Sequence, residues 1–205
     1  MGNSTMPNTL DATNFSKYDQ LVQACLTTGA HCIVDIHNYA RFNGLIIGQG
    51  GPTNAQFANI WSQIATKYAK EPNVIFGVMN EPHDIPDIAI WAASVQAAVT
   101  AIRQAGATTQ LILLPGTDFT GAQTFISNGS AGNLSTVNNP DGTNTSLIFD
   151  VHKYLDSDGS GQATTCTSNH IDDTFVPLAA FLKANNRTAI LSETGGGSSP
   201  SVSRS

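Results

Sequence analysis

NVIFGVMNEPHD, residues 73–84, decides how this chain folds. It begins as a near-continuous run of apolar residues, without the polar–apolar alternation of a half-exposed strand. Such a run predicts a strand of a parallel sheet that is buried on both faces. The run ends in the polar residues Asn80 and Glu81, and Pro82 follows them. The sequence therefore predicts a buried strand that carries a carboxylate at its carboxyl tip.

Four more runs of this kind flank the first one. They are AHCIVDIHN at 30–38, QLILLPG at 110–116, SLIFDVHKY at 146–154 and TAILSE at 188–193. In the intervening sequence, apolar residues recur with the spacing of one helix face, over residues 16–30, 53–69, 88–106 and 174–186. Strands that alternate with single helices predict right-handed βαβ units and a parallel sheet.

The loops after the strands separate the two α/β folds that fit this order, a doubly wound open sheet and a (β/α)8 TIM barrel. These loops are polar and rich in Gly, His and Glu, as in HNYARFNGLIIGQGG and ETGGGSS. A barrel builds its active site from the carboxyl ends of several strands, so the pattern favours the barrel. Five strands are fewer than the roughly eight that close a barrel. We therefore expect an incomplete barrel, with residues 1–205 forming one partial domain.

Composition narrows the kinds of partner. Charged residues make up 12% of the chain, the net charge is −6, and Lys and Arg do not cluster, so we expect no nucleic acid partner. We also expect no membrane partner, because no apolar run reaches the roughly 18 residues that a bilayer requires. The opening MGNSTMPNTL does not have the pattern of a signal peptide. A polar but uncharged surface is nevertheless typical of extracellular proteins, and we expect a secreted one.

Three cysteines leave the redox state open at this point. Cys25 and Cys32 are close enough in sequence to pair if the local geometry permits a disulfide. Cys166 is then left over, which in a secreted protein calls for an explanation. The alternative is that all three are reduced and buried as small apolar side chains.

Two glutamates at strand tips carry the chemistry. Glu81 ends the 73–81 run, and Glu193 ends TAILSE before Thr194 and three glycines. Carboxyl ends of parallel strands meet at one edge of a sheet, so the two carboxyl groups should face each other. Glycoside hydrolysis needs such a pair, because one carboxyl protonates the leaving oxygen and the other attacks the anomeric carbon.

Polar side chains at other strand tips complete the candidate site. His37 ends IVDIHN, His152 and Tyr154 share one face of FDVHKY, and Asn80 precedes Glu81. Together they are typical of a site that binds a sugar and supports acid–base chemistry. A metal site is the rival interpretation, since His and Glu are ligands. We expect no metal, because the sequence has no His-x-x-x-His or Cys–His spacing.

Five longer runs of the sequence resemble one known family. KYDQLVQACLTTGAHCIVDIHNYARFNG, IIGQGGPTNAQF, FGVMNEPHD, LIFDVHKYLDSD and AILSETGGG resemble fungal glycoside hydrolase family 5 endo-β-1,4-glucanases over about residues 15–197. The resemblance implies a (β/α)8 barrel, cleavage of internal β-1,4-glucosidic bonds with retention, and no cofactor. It implies that Glu81 is the acid/base and Glu193 the nucleophile, with carboxyls about 5–5.5 Å apart. It places around them four supporting residues, His37, Asn80, His152 and Tyr154.

The resemblance also implies differences from the family. The five strands correspond to the third through seventh, whereas an active-site Arg on the second strand and a stacking Trp on the eighth are missing. Phe42 and Phe119 stand where related sequences often have Trp. The family partner of Cys166 would fall near Val202.

The expected function is hydrolysis of β-glucan by a secreted, monomeric cellulase. Two alternatives stay open. One is an inactive fragment that keeps the groove residues without turnover. The other is a mannanase or a related β-glycanase, since the fold and the catalytic pair do not fix the substrate.

Overall fold

A five-stranded parallel sheet forms the centre of the computed structural model, which describes residues 2–3 and 6–197, with side chains from residue 9 onward. Its strands are β3 (Cys32–Asp35), β6 (Val74–Gly77), β7 (Ile112–Pro115), β8 (Leu147–Tyr154) and β9 (Ala189–Gly195). They lie side by side in sequence order, and every neighbouring pair is parallel. Two short antiparallel pairs lie outside this sheet. The first joins β1 (Gly2–Asn3) to β2 (Met6–Leu10), and the second joins β4 (Arg41–Phe42) to β5 (Leu45–Ile46).

Helices separate the strands of the central sheet. They are α1 (Ala12–Thr27), α2 (Asn54–Tyr68), α3 (Ile88–Gln104), α4 (Ser130–Leu134) and α5 (Val176–Ala184), with a π-helical turn at Ile171–Phe175. The alternation of strands and helices predicted from the sequence is therefore confirmed. The predicted strands overshoot, because residues 36–38 and 78–81 leave the sheet at its carboxyl edge and enter the loops.

Local chemistry explains where the helices begin. Thr53 and Gln56 form a capping box at the start of α2, in which each side chain bonds the other residue's backbone N–H. Asp87 caps α3 by accepting hydrogen bonds from the backbone N–H groups of Ala89 and Ile90. Asp11 caps α1, which begins before the predicted residue 16. Side chains from α2, α3 and the strands form one apolar core, including the fully buried residues Trp61, Trp91, Phe76 and Phe149.

The antiparallel pair β4–β5 was not predicted, although the sequence carries its signal. Asn43 and Gly44 form the turn between the two strands, and both have positive φ angles, 51° and 78°. Asn-Gly is the preferred pair for a two-residue hairpin turn of this kind. The pair folds the loop after β3 back on itself, which places Tyr39 at the carboxyl edge of the sheet.

A disulfide joins Cys25 in α1 to Cys32 at the start of β3, with the Cα atoms 6.3 Å apart. Cys166 is free and buried. These findings decide the question that the sequence left open, and the three-thiol alternative is wrong. Val202, the position predicted to correspond to a partner for Cys166, lies outside the described residues.

Removing this disulfide should destabilise the fold. We expect a Cys25→Ser/Cys32→Ser variant to lose about 2 kcal/mol of unfolding free energy, because the unfolded chain regains the entropy of a short closed loop. Urea unfolding measures the loss, and Cys166→Ser is the control that leaves the disulfide intact. Three alkylatable thiols in the denatured, unreduced protein would contradict the assignment.

Candidate active site

Glu81 lies in the loop directly after β6, and its backbone is held in an unusual conformation. Its φ angle is 44°, in the left-handed region that non-glycine residues seldom adopt, and Pro82 follows it. Neighbouring backbone bonds hold this segment, since Asn80 N–H donates to Ile36 O at 2.9 Å and Phe119 N–H donates to Pro82 O at 2.9 Å. Such strain is found where the position of a side chain matters for function.

The imidazole of His152 lies between the two candidate carboxylates. Its Nδ1 is 2.8 Å from Glu81 Oε1 and 3.5 Å from Glu193 Oε2. The register of the sheet produces this arrangement, because His152 on β8 pairs with Glu193 on β9. One carboxylate oxygen of Glu81 and one of Glu193 lie within 4.8 Å of each other. This upper limit is below the roughly 6.5–9.5 Å between the carboxyl groups of inverting glycosidases and is compatible with the shorter spacing, about 5–5.5 Å, of retaining ones.

Tyr154 contacts the second carboxylate. Its hydroxyl donates a hydrogen bond to Glu193 Oε2 at 3.0 Å. Burial, the hydrogen bond to Glu193 and the charges of Glu193 and Glu81 raise the pKa of Tyr154 above its ordinary value. The hydroxyl therefore keeps its proton and remains a donor to the carboxylate.

His37 and Asn80 form a second hydrogen-bonded chain beside the first. His37 Nδ1 lies 3.0 Å from Asp35 Oδ2, and His37 Nε2 lies 3.1 Å from Asn80 Nδ2. If Nδ1–H donates to the carboxylate, Nε2 is free to accept from the amide of Asn80, which fixes the orientation of that amide. The structure thus brings together all six candidate residues: Glu81, Glu193, His37, Asn80, His152 and Tyr154.

Charge around His152 favours its protonated form. Burial on its own disfavours a charged imidazole. The hydrogen bond with Glu81 and the negative charges of Asp150, Glu193 and Glu81 outweigh burial and raise the pKa of His152 above its ordinary value. The site therefore retains a proton between the imidazole and the carboxylates more readily than an exposed histidine would.

An open cleft of about 540 Å³ begins at Glu81, His152 and Tyr154. Phe119 lies on its wall, half exposed, and its ring stacks on His83 at 4.4 Å with an interplanar angle of 14°. Aromatic faces of this kind bind the apolar faces of sugar rings. Of the two phenylalanines that the sequence singled out, Phe119 lines this cleft, whereas Phe42 lies in β4.

Several residues of the cleft were missed by sequence reasoning. Tyr39, Gln123 and Lys153 line it, and Lys153 Nζ donates to Gln123 Oε1 at 3.0 Å. The loop that carries Phe119 and Gln123 is tied to β8, because Ala122 N–H donates to His152 O at 2.9 Å. Lys153 directly follows His152, and that adjacency is the one signal that could have found it.

Three of the site residues are also arranged as metal ligands could be. One ligand atom from each of Glu81, His152 and Glu193 lies within 4.8 Å of the others. Within the site, His152 Nδ1 shares a hydrogen bond with Glu81 Oε1, and the Tyr154 hydroxyl donates to Glu193 Oε2. These bonds orient the two carboxylates without a cation, although each carboxylate keeps further lone pairs that could accept one.

A parallel sheet with two facing carboxylates at its carboxyl edge is the arrangement on which glycoside hydrolases of the (β/α)8 barrel class are built. The family Cellulase (glycosyl hydrolase family 5) matches residues 1–204, and the chain belongs to that family.

Known proteins of this kind confirm the fold. The chain is 65% identical over 195 residues to Endoglucanase EG-II of Hypocrea jecorina, which covers 95% of this chain and 46% of that protein. It is 54% identical to the Manganese dependent endoglucanase Eg5A of Phanerodontia chrysosporium, over 96% of this chain and 51% of that protein. The solved structure of Cel5A (EG2) from Hypocrea jecorina (Trichoderma reesei) superimposes with a TM-score of 0.92 at 65% identity, over 96% of this chain and 59% of that one. The chain thus spans about half the length of the curated relatives it matches, and its sheet is part of a TIM barrel.

The length and composition of the helices bear on membrane insertion. Among the residues that the structure describes, none of the helices is both long enough and apolar enough to cross a membrane.

Proposed function

We propose that this chain supplies the catalytic groups of a retaining endo-β-1,4-glucanase, with residues 1–205 as part of its catalytic domain. The observation that carries the proposal is the pair Glu81–Glu193, held within 4.8 Å around one imidazole. In the first step Glu193 attacks the anomeric carbon while Glu81 protonates the leaving glycosidic oxygen. In the second step Glu81 removes a proton from water, which attacks the same carbon and releases Glu193.

The hydrogen bonds support this division of roles. The Tyr154 hydroxyl donates to Glu193 at 3.0 Å, which stabilises the carboxylate form that a nucleophile requires. Glu81 instead shares a 2.8 Å hydrogen bond with His152, a group that can exchange a proton with it. Glu81 is therefore suited to give and take a proton, and Glu193 to attack.

The remaining candidate residues would hold the sugar. Asn80 is buried and anchored by His37, so its free amide atoms can bond a sugar hydroxyl without reorganisation. The face of Phe119 provides a stacking surface along the cleft. We propose β-glucan as the substrate, a monomer as the complete barrel, and secretion, which the Cys25–Cys32 disulfide favours.

Activity measurements test the proposal with two proteins. One is the full chain, residues 1–205. The other, called the graft, carries residues 9–197 in place of the equivalent segment of Hypocrea jecorina Endoglucanase EG-II. Because Glu81 and Glu193 lie in the transferred segment, turnover by the graft depends on residues of this chain. We expect the graft to cleave carboxymethylcellulose with retained anomeric configuration, and to act more slowly on mannan and β-1,3-glucan.

Two outcomes would overturn the proposal. One is a folded graft that is inactive on all three polysaccharides beside an active host enzyme, which favours a non-catalytic chain. The other is faster cleavage of mannan, which favours a mannanase.

Chelation tests the role of a metal ion. We expect the graft to keep its activity after dialysis against EDTA, because hydrogen bonds from His152 and from Tyr154 already orient Glu81 and Glu193 without a cation. Loss of activity that Mn²⁺ restores would show instead that a cation takes part in catalysis.

A further inference from the structure

The sequence Asp-x-His occurs at two strand tips of the sheet. It is Asp35-Ile36-His37 at β3 and Asp150-Val151-His152 in β8. In each case the carboxylate lies close to the imidazole: Asp35 Oδ2 is 3.0 Å from His37 Nδ1, and Asp150 Oδ1 is 4.0 Å from His152 Nε2. The mechanism described above uses both histidines and neither aspartate.

Asp150 is buried beneath the catalytic pair. Asp150 lines a second, open pocket of about 230 Å³ together with His152, Ser192 and Glu193. The Ser192 hydroxyl donates a hydrogen bond to Asp150 Oδ1 and fixes that oxygen. The same oxygen lies 4.0 Å from His152 Nε2. Of the charged groups that act on this carboxylate, Glu193 and Asp35 are acidic, and the imidazole of His152 is the one that attracts it.

The two nitrogens of His152 therefore face two different carboxyl groups. Nε2 faces Asp150 at 4.0 Å, and Nδ1 contacts Glu81 at 2.8 Å. A negative charge near Nε2 favours a proton on Nε2 and, more generally, favours an additional proton on the imidazole and its partner. The proton in the Nδ1–Oε1 hydrogen bond is the one that Glu81 must deliver to the leaving oxygen.

We propose that Asp150 is a positioning residue that acts through His152 to keep the acid proton in the hydrogen bond between His152 and Glu81. The inference rests on the proposed function and adds a residue to it. No additional proton donor is needed, since the proton that leaves in the first step returns from water in the second. The charge of Asp150 stays in place throughout and assists Glu81 in both steps.

Other titratable groups face the same space and set the background for any test. Within the described part of the chain they come from β3, from the loop after β6, from β8 and from β9, and they are Asp35, His37, Glu81, Tyr154 and Glu193. Burial raises the pKa of Asp150 above its ordinary value, while the Ser192 hydrogen bond and His152 act in the opposite direction. Asp35 is the matched comparison, because its histidine contacts Asn80 rather than Glu81.

An Asp150→Asn variant tests the inference through its pH profile. Without the negative charge, the pair should lose its acid proton at lower pH. We expect the alkaline limb of kcat/KM on carboxymethylcellulose to move down by about one pH unit, so that activity above the original midpoint falls about tenfold. With a 2,4-dinitrophenyl β-cellobioside, whose leaving group needs no proton, the loss in the first step should largely disappear.

Comparison variants make the result specific. Asp35→Asn should leave the alkaline limb in place even where it lowers the rate. Asp150→Glu keeps the negative charge, so its alkaline limb should shift less than that of Asp150→Asn. Each variant is made in the full chain and in the graft. The pH profile is read from whichever of these two proteins melts cooperatively. An alkaline limb unchanged by Asp150→Asn would overturn the inference, whereas an inactive unmutated graft would overturn the proposed function instead.

A measurement on the unmutated protein covers the case in which Asp150→Asn fails to fold. ¹⁵N NMR of the imidazole of His152 reports the protonation of each nitrogen as the pH rises. We expect Nε2 to remain protonated while Nδ1 loses its proton. A neutral form that carries its proton on Nδ1 alone would contradict a role for Asp150.

Discussion

Replacing Glu193 with glutamine should abolish hydrolysis of every substrate by the graft, with a loss on the order of 10⁵-fold, the scale seen when an enzyme loses its covalent nucleophile. Glutamine keeps the shape of the side chain and can still bond the Tyr154 hydroxyl, which contacts Glu193 at 3.0 Å. It cannot form the glycosyl–enzyme bond. Initial rates on carboxymethylcellulose and on 2,4-dinitrophenyl β-cellobioside measure the loss.

Replacing Glu81 with glutamine should give a different pattern. A general acid contributes about 10²–10⁴-fold, and we expect a loss of this size on carboxymethylcellulose. The dinitrophenyl substrate should still form the glycosyl–enzyme intermediate quickly, because its leaving group departs without protonation. A burst of dinitrophenolate followed by slow turnover would show this directly.

The chain supplies its own control for both substitutions. Glu71 is the one glutamate of the chain besides Glu81 and Glu193, and it lies before β6, away from the carboxyl edge of the sheet. Glu71→Gln should leave both rates unchanged. If Glu193→Gln kept the rate of the unmutated graft, or if Glu81→Gln lost the dinitrophenolate burst too, the assignment of roles would be wrong.

The positions of the catalytic candidates could be predicted because parallel strands end at one edge. Glu81, His152 and Glu193 each end or lie near the end of an apolar run, so the topology alone brings them together. The pairing of His152 with Glu193 could not be predicted. It depends on a break in register between Val151 and His152, where β9 has one extra residue, Ser192, between Leu191 and Glu193.

The wall of the cleft was equally beyond sequence reasoning. Asp118, Phe119 and Thr120 all have positive φ angles, between 52° and 58°, and none of them is a glycine that would mark such a turn. Tertiary contacts hold this segment, including the hydrogen bond from Thr120 Oγ1 to Asp150 O at 2.9 Å. The stacking of Phe119 on His83 follows from that segment, and local propensity carries no signal for it.

The two edges of the central sheet should limit how the full chain behaves in solution. Among the described residues, β3 and β9 each pair with one neighbouring strand, so each presents a row of free backbone groups. Apolar side chains on these edge strands are exposed, Ile33 to 45% and Leu191 to 38%. Unpaired, apolar edges are templates for pairing with another chain. We therefore expect residues 1–205, expressed alone, to be poorly soluble, to elute as large species and to be nearly inactive.

The graft provides the direct comparison, because in a closed barrel the strands of the host would pair with both edges. We expect it to elute as a monomer with a cooperative melt, while the full chain melts broadly. Ile33→Lys and Leu191→Lys in the full chain should shift material towards the monomer, since a lysine at an edge opposes strand pairing. Leu45→Lys is the matched control, because Leu45 is 55% exposed but lies in β5, outside the central sheet. A sharp monomer peak of the unmodified full chain, with turnover equal to that of the graft, would show that this open sheet is stable and catalytically competent by itself.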